Sequence, residues 1–206
     1  MSIWAIVPVK PLKQAKSRLA SVLSLHERET LSRRFLAHTL EVLGQVRDIH
    51  RTLVVSRDSA ALGLARKWHA YTVTESGSPE LNAALPRATN VAVSFGAHAV
   101  LVMPTDLPLL HPADVEKLLA ASAQPECMTI APDRLDAGTN ALFVRPPNLV
   151  PYSFGPGSFA RHVALANARG ACLEIWRSPS FALDVDLPAD LRMYQTLHQS
   201  ERQAEH

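Results

Sequence analysis

The sequence predicts an α/β sandwich built on a mostly parallel sheet. Three observations predict it. Short apolar runs of strand length alternate with helical patterns nearly throughout the chain. The most apolar run, Ala99 to Met103, has no polar alternation, as expected of a parallel strand covered on both faces. Charged residues collect in loops directly after such runs, and open α/β sheets bind ligands beyond strand carboxyl ends, near a switch in strand order.

Ile3 to Val7 is long enough for one buried strand, and Pro8 and Pro11 break it. The loop behind it carries Lys10, Lys13, Lys16 and Arg18, and Ser17 is placed to cap a helix starting directly afterwards. Ser24 and Glu27 form a capping-box pattern. Leu31, Phe35, Val42 and Val46 recur near helical spacing, so a helix to about Val46 is expected. Thr52 to Ser56 is the second strand, Asp58 a cap for a helix from about Ser59 to Trp68, and Tyr71 to Thr74 a short strand. Gly77, Ser78 and Pro79 mark a loop. Glu80 to Phe95 reads as helical, but Pro86 should kink that helix or divide it.

After Ala99 to Met103 comes PTDLPLL, residues 104 to 110, and then a helix from Pro112 to Ser122. His111 stands where a Ser or Thr cap is usual. Met128 to Ala131 and Thr139 to Val144 read as strands joined by PDRLDAG. The segment PPNLVPYSFGPGS is too rich in Pro and Gly for regular structure. A helix from Phe159 to Ala168, strands at Ala171 to Arg177 and Phe181 to Val185, and a helix from Ala189 to His198 complete the pattern. The tail from about residue 199 is polar and expected to fray. No repeat or linker interrupts residues 1–206, which read as one domain with a full-sized core.

Charge narrows the function classes. A net charge of +2, from 21 basic and 19 acidic residues, is too balanced for a general nucleic-acid or membrane surface, so any basic site is local. No apolar run reaches the roughly 18 residues a membrane span needs. A strand-like run begins within three residues of Met1, so no signal peptide is expected. Cys127 and Cys172 are far apart and form no CxxC pair, so they read as two buried thiols in a reducing compartment. A cytoplasmic protein is expected. The nine histidines are scattered, with no HxxxH or HxH pair, and read as surface or core residues.

Three loops after apolar runs hold the candidate chemistry. The first carries Lys10, Lys16 and Arg18, a cation set suited to phosphate; the bland alternative is a solvated basic loop. The second holds Asp106, immediately after the central run, where a lone aspartate is usually a cap or turn former. The third holds Asp184 and Asp186, at same-face strand spacing. Paired carboxylates repel unless a cation lies between them; the alternative has Asp186 capping the last helix and Asp184 merely exposed. Together, cations at one strand end and carboxylates at two others are what phosphoryl or nucleotidyl transfer requires, with Mg²⁺ as the hard ion. Gly138, Thr139 and Asn140 could hold a second substrate, as could the FGPGS loop, Phe154 to Ser158, at a helix start. A tight turn with Ser158 as N-cap explains the latter equally well.

VPVKPLKQAKSRL, PTDLPLL, DAGTNAL, FGPGSFARH and LDVDLPADL together resemble the 2-phospho-L-lactate or phosphoenolpyruvate guanylyltransferases, which make the activated precursor of coenzyme F-420. The resemblance runs from about Ile3 to Leu191. It implies a Rossmann-like three-layer sandwich of the nucleotide-diphospho-sugar transferase type, with GTP as donor, Mg²⁺ as cofactor and a three-carbon phospho-acid as acceptor. Asp106, Asp184 and Asp186 match the metal-binding aspartates. Val9, Lys10, Lys16, Ser17 and Arg18 match the nucleotide phosphate loop, Lys10, Lys16 and Asp106 the catalytic set, and Asn82 a nucleotide-side position. Thr139, Gly155 and Ser158 match positions that hold the acceptor carboxylate. Product hand-over to a downstream lactyl transferase is implied as well.

The opening loop departs from the glycine-rich loop of related nucleotidyltransferases, so side chains must do more of the phosphate binding there. That loop also argues against the nearest enzyme alternatives, a molybdopterin or a sugar-phosphate nucleotidyltransferase. A non-catalytic GTP-binding protein on the same fold is the alternative from another class. Phosphoenolpyruvate, 2-phospho-L-lactate and 3-phospho-D-glycerate all remain acceptors on the residues, and family features that look bacterial favour the first. An exposed apolar strand edge would favour a homodimer.

Overall fold

The computed structural model describes residues 2–75, 80–121 and 124–204. The loop expected at Gly77, Ser78 and Pro79, and the expected helix end at Ser122, lie outside the described residues. Seven strands form one sheet: β1 (Ile3–Val9), β2 (Ile49–Ser56), β3 (Tyr71–Thr74), β4 (Ala99–Val102), β5 (Cys127–Pro132), β6 (Thr139–Arg145) and β7 (Cys172–Ile175). Their spatial order is β3-β2-β1-β4-β6-β5-β7. Every neighbouring pair is parallel except those of β6, which runs antiparallel to both β4 and β5. The order reverses direction between β1 and β4, so the loops after these two strands flank the switch point.

Alternation along β1 feeds two cores. Ile3, Ala5 and Val7 face one layer, with α1 (Leu25–Gln45), α2 (Ser59–Lys67) and α4 (Pro112–Ala120). Trp4 and Ile6 face the other, with α3 (Leu81–Ser94) and α5 (Ser158–Ala168). A third cluster joins Leu19, Leu31, Phe35, Leu183, Val185 and Leu191. It packs the opening loop and the LDVDLP segment onto one end of α1 and onto α7 (Pro188–Ala204). Full burial of a Leu or Val is worth about 1.5–3 kcal/mol, so this cluster fixes the distance between two charged loops.

Several helix ends follow the sequence rules. Ser24 Oγ accepts the Glu27 N–H at 3.3 Å, and the Glu27 carboxylate accepts the Ser24 N–H at 2.7 Å. Asp58 caps α2 through Ala60 N at 2.8 Å. His111 does cap α4, its Nδ1 accepting the Ala113 N–H at 3.3 Å.

Other expectations are corrected. Ser17 caps no helix: it is the first residue of a three-residue 3-10 turn, Ser17–Leu19, and the long helix begins only at Leu25. Pro86 does not divide α3, which runs unbroken from Leu81 to Ser94. Phe181 to Val185 is no strand. Residues Pro179–Ala182 form a single turn of helix, α6, because Phe181 is drawn into the core beneath β5 and β6. The two cysteines, distant in sequence, lie opposite each other in the β5–β7 register, Sγ to Sγ at 2.7 Å. Cys127 is buried and Cys172 half-buried. No helix among the described residues is long and apolar enough to cross a membrane.

Candidate active site

The loop after β1 is anchored before it reaches its charges. Leu12 is buried, and its N–H donates to Asp58 Oδ2 at 2.8 Å, so the cap of α2 also holds the loop. Burial alone would raise the Asp58 carboxyl, but the amides it accepts from pull it below the usual carboxylate range. Leu19, fully buried, anchors the far end. Between these anchors Lys16 takes a left-handed conformation, φ 55°. That turns its side chain inward, where it is only 8% exposed.

The Lys16 ammonium sits between two carboxylates: Nζ lies 2.8 Å from Asp106 Oδ2 and 3.0 Å from Asp186 Oδ1. Arg18 reaches Asp186 from outside at 3.8 Å. Burial would lower the Lys16 pKa, but the charges of Asp106 and Asp186 outweigh it and the net shift is upward. Burial likewise acts to raise Asp186, and is overcome by the charges of Lys16, Arg18 and Lys10, so this carboxyl stays below its ordinary range. Lys10 is exposed and takes part through that field. Val9, the buried last residue of β1, pairs with Ser56 and sets where the loop departs; Ser17 is exposed.

Asp184 behaves differently. Burial first, then the negative charges of Asp106 and Asp186, push it up to about 6, against the pull of an Asn140 amide 3.4 Å away. Its backbone neighbour Val185 donates to the Asp106 carbonyl at 3.1 Å, so the two acidic loops are tied together. The Asp186 carboxylate is engaged by Lys16 and Arg18, and Asp184 is half-buried, so the bland reading of this pair fails. The capping is done by Asp190, whose Oδ2 accepts the Leu187 N–H at 2.7 Å and whose Oδ1 accepts from Arg134 at 2.7 Å. Asp190 thereby frees the Asp186 carboxylate to face Lys16.

The second set of predicted residues gathers where β6 begins. Because β6 is antiparallel to β4, its first residues lie at the same sheet end as Asp106. Asp133 organises the preceding loop by accepting the N–H groups of Leu135, Ala137 and Gly138 at 3.0, 2.9 and 2.8 Å. A Cβ on Gly138 would stand 2.8 Å from that carboxylate, which explains the glycine. Thr139 and Asn140 are buried, and the Asn140 amide donates to the Phe181 carbonyl at 2.7 Å. Asn140 therefore joins the Thr139 strand to the Asp184 loop.

The 153–158 loop closes over Thr139. Gly155 and Gly157 have φ of 117° and 71°, open to glycine at little cost. Ser158 N–H and Phe159 N–H are already taken, by the carbonyls of Gly155 and Ala137. Asn82, expected on the nucleotide side, grips this loop: its amide nitrogen donates to the Phe154 carbonyl at 3.1 Å and its oxygen accepts the Phe154 N–H at 2.7 Å. Two residues escaped the sequence reading. His162, buried, touches both Thr139 and Ser153, and Arg161 holds Ser153 and Pro156. The motif FGPGSFARH contains both, but nothing in spacing marks a histidine as inward-facing.

Two sizeable grooves, about 480 and 530 Å³, lie elsewhere, one between α1 and α7 and one between the 132–136 loop and Arg177–Ala182. Neither includes the lysine–aspartate cluster. Among the described residues no group of three or more His, Cys, Asp or Glu side chains is gathered tightly enough to hold a metal as it stands. Lys16 separates Asp106 from Asp186. The residues nevertheless suit a hard cation: Asp106 Oδ1 is buried without a hydrogen-bond partner, and Asp184 is crowded by two like charges.

Residues 3–206 match the family model described as guanylyl transferase CofC like. The chain belongs to this guanylyltransferase family. It is 44% identical over 191 residues to a phosphoenolpyruvate guanylyltransferase of Rubrobacter xylanophilus, covering 93% of this chain and 92% of that one. A 2-phospho-L-lactate guanylyltransferase of Methanothermobacter thermautotrophicus is 35% identical over 193 residues, 93% of this chain and 83% of the other. A solved nucleotidyl transferase from the latter genus superposes with a TM-score of 0.68 at 16% identity, over 96% of this chain and 98% of that chain, and so shares the fold. As a member of the CofC-like family, the protein is a nucleotidyltransferase on an α/β nucleotidyltransferase fold.

Proposed function

We propose that this guanylyltransferase transfers GMP from GTP to phosphoenolpyruvate, releasing pyrophosphate, in the route to coenzyme F-420. The observation that carries the reading is the buried Lys16 ammonium between Asp106 and Asp186 at the switch point, with Arg18 and Lys10 outside it. This is a fixed cation array beside carboxylates, in a family named for guanylyl transfer. Val9, Lys10, Lys16, Ser17 and Arg18 form the nucleotide phosphate loop in this reading. Asn82, a nucleotide-side residue by resemblance, also steadies the acceptor loop in this reading through its two hydrogen bonds to Phe154. Thr139, Gly155 and Ser158 take the acceptor carboxylate.

An oxygen of the acceptor phosphate, already ionised at neutral pH, attacks the α-phosphorus of GTP. One P–O bond forms, the bond from the α-phosphorus to the bridging oxygen breaks, and its electron pair leaves with pyrophosphate. No side-chain nucleophile or base is needed. Lys16, Arg18 and Lys10 neutralise the repulsion between two anions and hold them aligned. Asp106, Asp184 and Asp186 would hold Mg²⁺, which when bound adds charge neutralisation at the phosphates. The product passes to a lactyl transferase in the cytoplasm.

The test is pyrophosphate release with GTP and Mg²⁺, supplying phosphoenolpyruvate, 2-phospho-L-lactate and 3-phospho-D-glycerate in turn, with the lactyl transferase present to draw off product. Release with phosphoenolpyruvate above the others is expected. Release with none, despite GTP binding, overturns the reading. Asp106→Ala should abolish turnover; a near-normal rate with Mg²⁺ would remove Asp106 from the metal site.

A further inference from the structure

His162 has no part in the chemistry just described, yet it is fully buried between the two loops assigned to the acceptor. Its Nε2 lies 3.0 Å from Ser153 N, and its Nδ1 lies 3.1 Å from Thr139 Oγ1. A backbone N–H can only donate, so Nε2 carries its lone pair here. The neutral ring then bears its hydrogen on Nδ1, and Nδ1–H donates to Thr139 Oγ1. His162 is the one hydrogen-bond partner of the Thr139 side chain among the described residues. The Thr139 oxygen thus accepts from the ring, and its own hydrogen has no taker among the described residues.

We propose that His162 is a positioning residue that fixes the Thr139 hydroxyl as a hydrogen-bond donor to the acceptor carboxylate. The proposal rests on the reading of Thr139 as an acceptor contact. With the opposite tautomer, the ring would take the Thr139 hydrogen, and only oxygen lone pairs would face an incoming anion. The bond from Ser153 excludes that arrangement.

The same ring orders the loop. The Phe154 ring packs edge-on against the imidazole at 4.9 Å between centroids. Arg161, the preceding residue, donates from Nε to Ser153 Oγ and from a terminal nitrogen to the Ser153 carbonyl, both at 2.8 Å, and its other terminal nitrogen bonds the Pro156 carbonyl. Burial, helped by the Arg161 charge, pushes the His162 pKa down to about 4. The ring therefore stays neutral, in one tautomer, throughout the range in which the acceptor is ionised.

The test compares Thr139→Val, Thr139→Ser, His162→Phe, His162→Asn and the Thr139→Val/His162→Phe double variant, with phosphoenolpyruvate and GTP as the varied substrates. Loss of a hydrogen bond to a charged group predicts a rise in KM for phosphoenolpyruvate of about tenfold to a hundredfold in Thr139→Val. The KM for GTP should not move. Thr139→Ser should stay near wild type. His162→Phe should reproduce the Thr139→Val pattern, and His162→Asn, which restores a donor near Nδ1, should recover part of the loss. The double variant should be no worse than the poorer single one. Factors that multiply in the double variant, or a His162→Phe effect on GTP as large as on phosphoenolpyruvate, overturn the proposal. An unchanged KM in Thr139→Val overturns the acceptor reading beneath it. A raised KM in Thr139→Val with none in His162→Phe overturns the His162 role alone. If His162→Phe does not fold, nitrogen-15 spectra of the unsubstituted protein decide: hydrogen on Nδ1 at pH 7 supports the proposal, and hydrogen on Nε2 overturns it.

Discussion

Two titrating groups, the buried His162 and the half-buried Asp184, should pull stability in opposite directions as pH changes. His162 moves from an ordinary 6.5 down to about 4 on folding, through burial and then the Arg161 charge. Asp184 moves from 3.8 up to about 6, through burial and then the charges of Asp106 and Asp186. Between about 4 and 6.5 the unfolded chain binds a proton at His162 that the folded chain refuses, so this contribution raises stability with pH. Between 3.8 and about 6 the folded chain keeps a proton on Asp184 that the unfolded chain has released, so this contribution lowers it. One proton is worth about 1.4 kcal/mol per pH unit, which gives about 3 kcal/mol across the His162 window. Asp184 is only half-buried, and screening by solvent reduces its share to about 1–2 kcal/mol. The windows overlap, so Asp184 offsets part of the His162 contribution, and these two groups together should add only about 1–2 kcal/mol to wild-type stability as pH rises through them. Asp184→Asn removes one arm. Urea unfolding between pH 4.5 and 7, with chelator present, should show the variant gaining on wild type as pH rises to about 6 and then levelling. His162→Phe should lose ground to wild type over the same rise. A difference that stays constant with pH for either variant refutes the assignment of that group.

Replacing Lys16 by Met removes the buried cation between two carboxylates 2.8 and 3.0 Å away and should cut pyrophosphate release at least a hundredfold; a smaller loss would show that Arg18 and Lys10 suffice. Asp58→Ala loses both the α2 cap and the bond to Leu12, which should cost about 1 kcal/mol in urea unfolding and raise the KM for GTP by loosening the phosphate loop. Asn82→Ala frees Phe154 and should raise the KM for phosphoenolpyruvate more than that for GTP. The reverse order would return Asn82 to the nucleotide side.

The sheet was legible because its central strands are short apolar runs with marked stops, and β1 alternates its side chains between two cores. Capping was legible at Ser24 and Glu27 and at Asp58, where donor and acceptor lie within three residues. The failures share a cause, which is that long-range contact decided. Leu183 and Val185 alternate like strand residues, but they pack on Leu19 and Phe35 in a satellite core and pair with no strand. Ser17 has cap chemistry, but the chain turns at Lys16 to bury an ammonium. The antiparallel run of β6 brings Thr139 to the carboxyl end of β4, and no local pattern announces it. His162 is the clearest case, since its role is set by partners 23 and 9 residues away.

The left-handed backbone at Lys16 has a physical reason. A glycine would adopt φ 55° at no cost, whereas a side-chain residue there gives up about 1 kcal/mol. An unpaired buried ammonium would cost several kcal/mol more. Both costs are met only because Asp106 and Asp186 converge on the ammonium from loops 80 residues apart, held by the satellite core and by the Val185 bond to Asp106. With Asp184 ionised, the three neighbouring carboxylates and the one inner cation carry a net charge of −2, and Arg18 at 3.8 Å from Asp186 reduces it to −1. The surplus is concentrated on Asp184 and on the unpartnered Asp106 Oδ1. A loop that binds phosphate through backbone amides alone would add no cation to this cluster. In the proposed reading the Lys16 cation that steadies the carboxylates also meets the nucleotide phosphates, so a divalent ion and a nucleotide arriving together would satisfy both halves of the site at once.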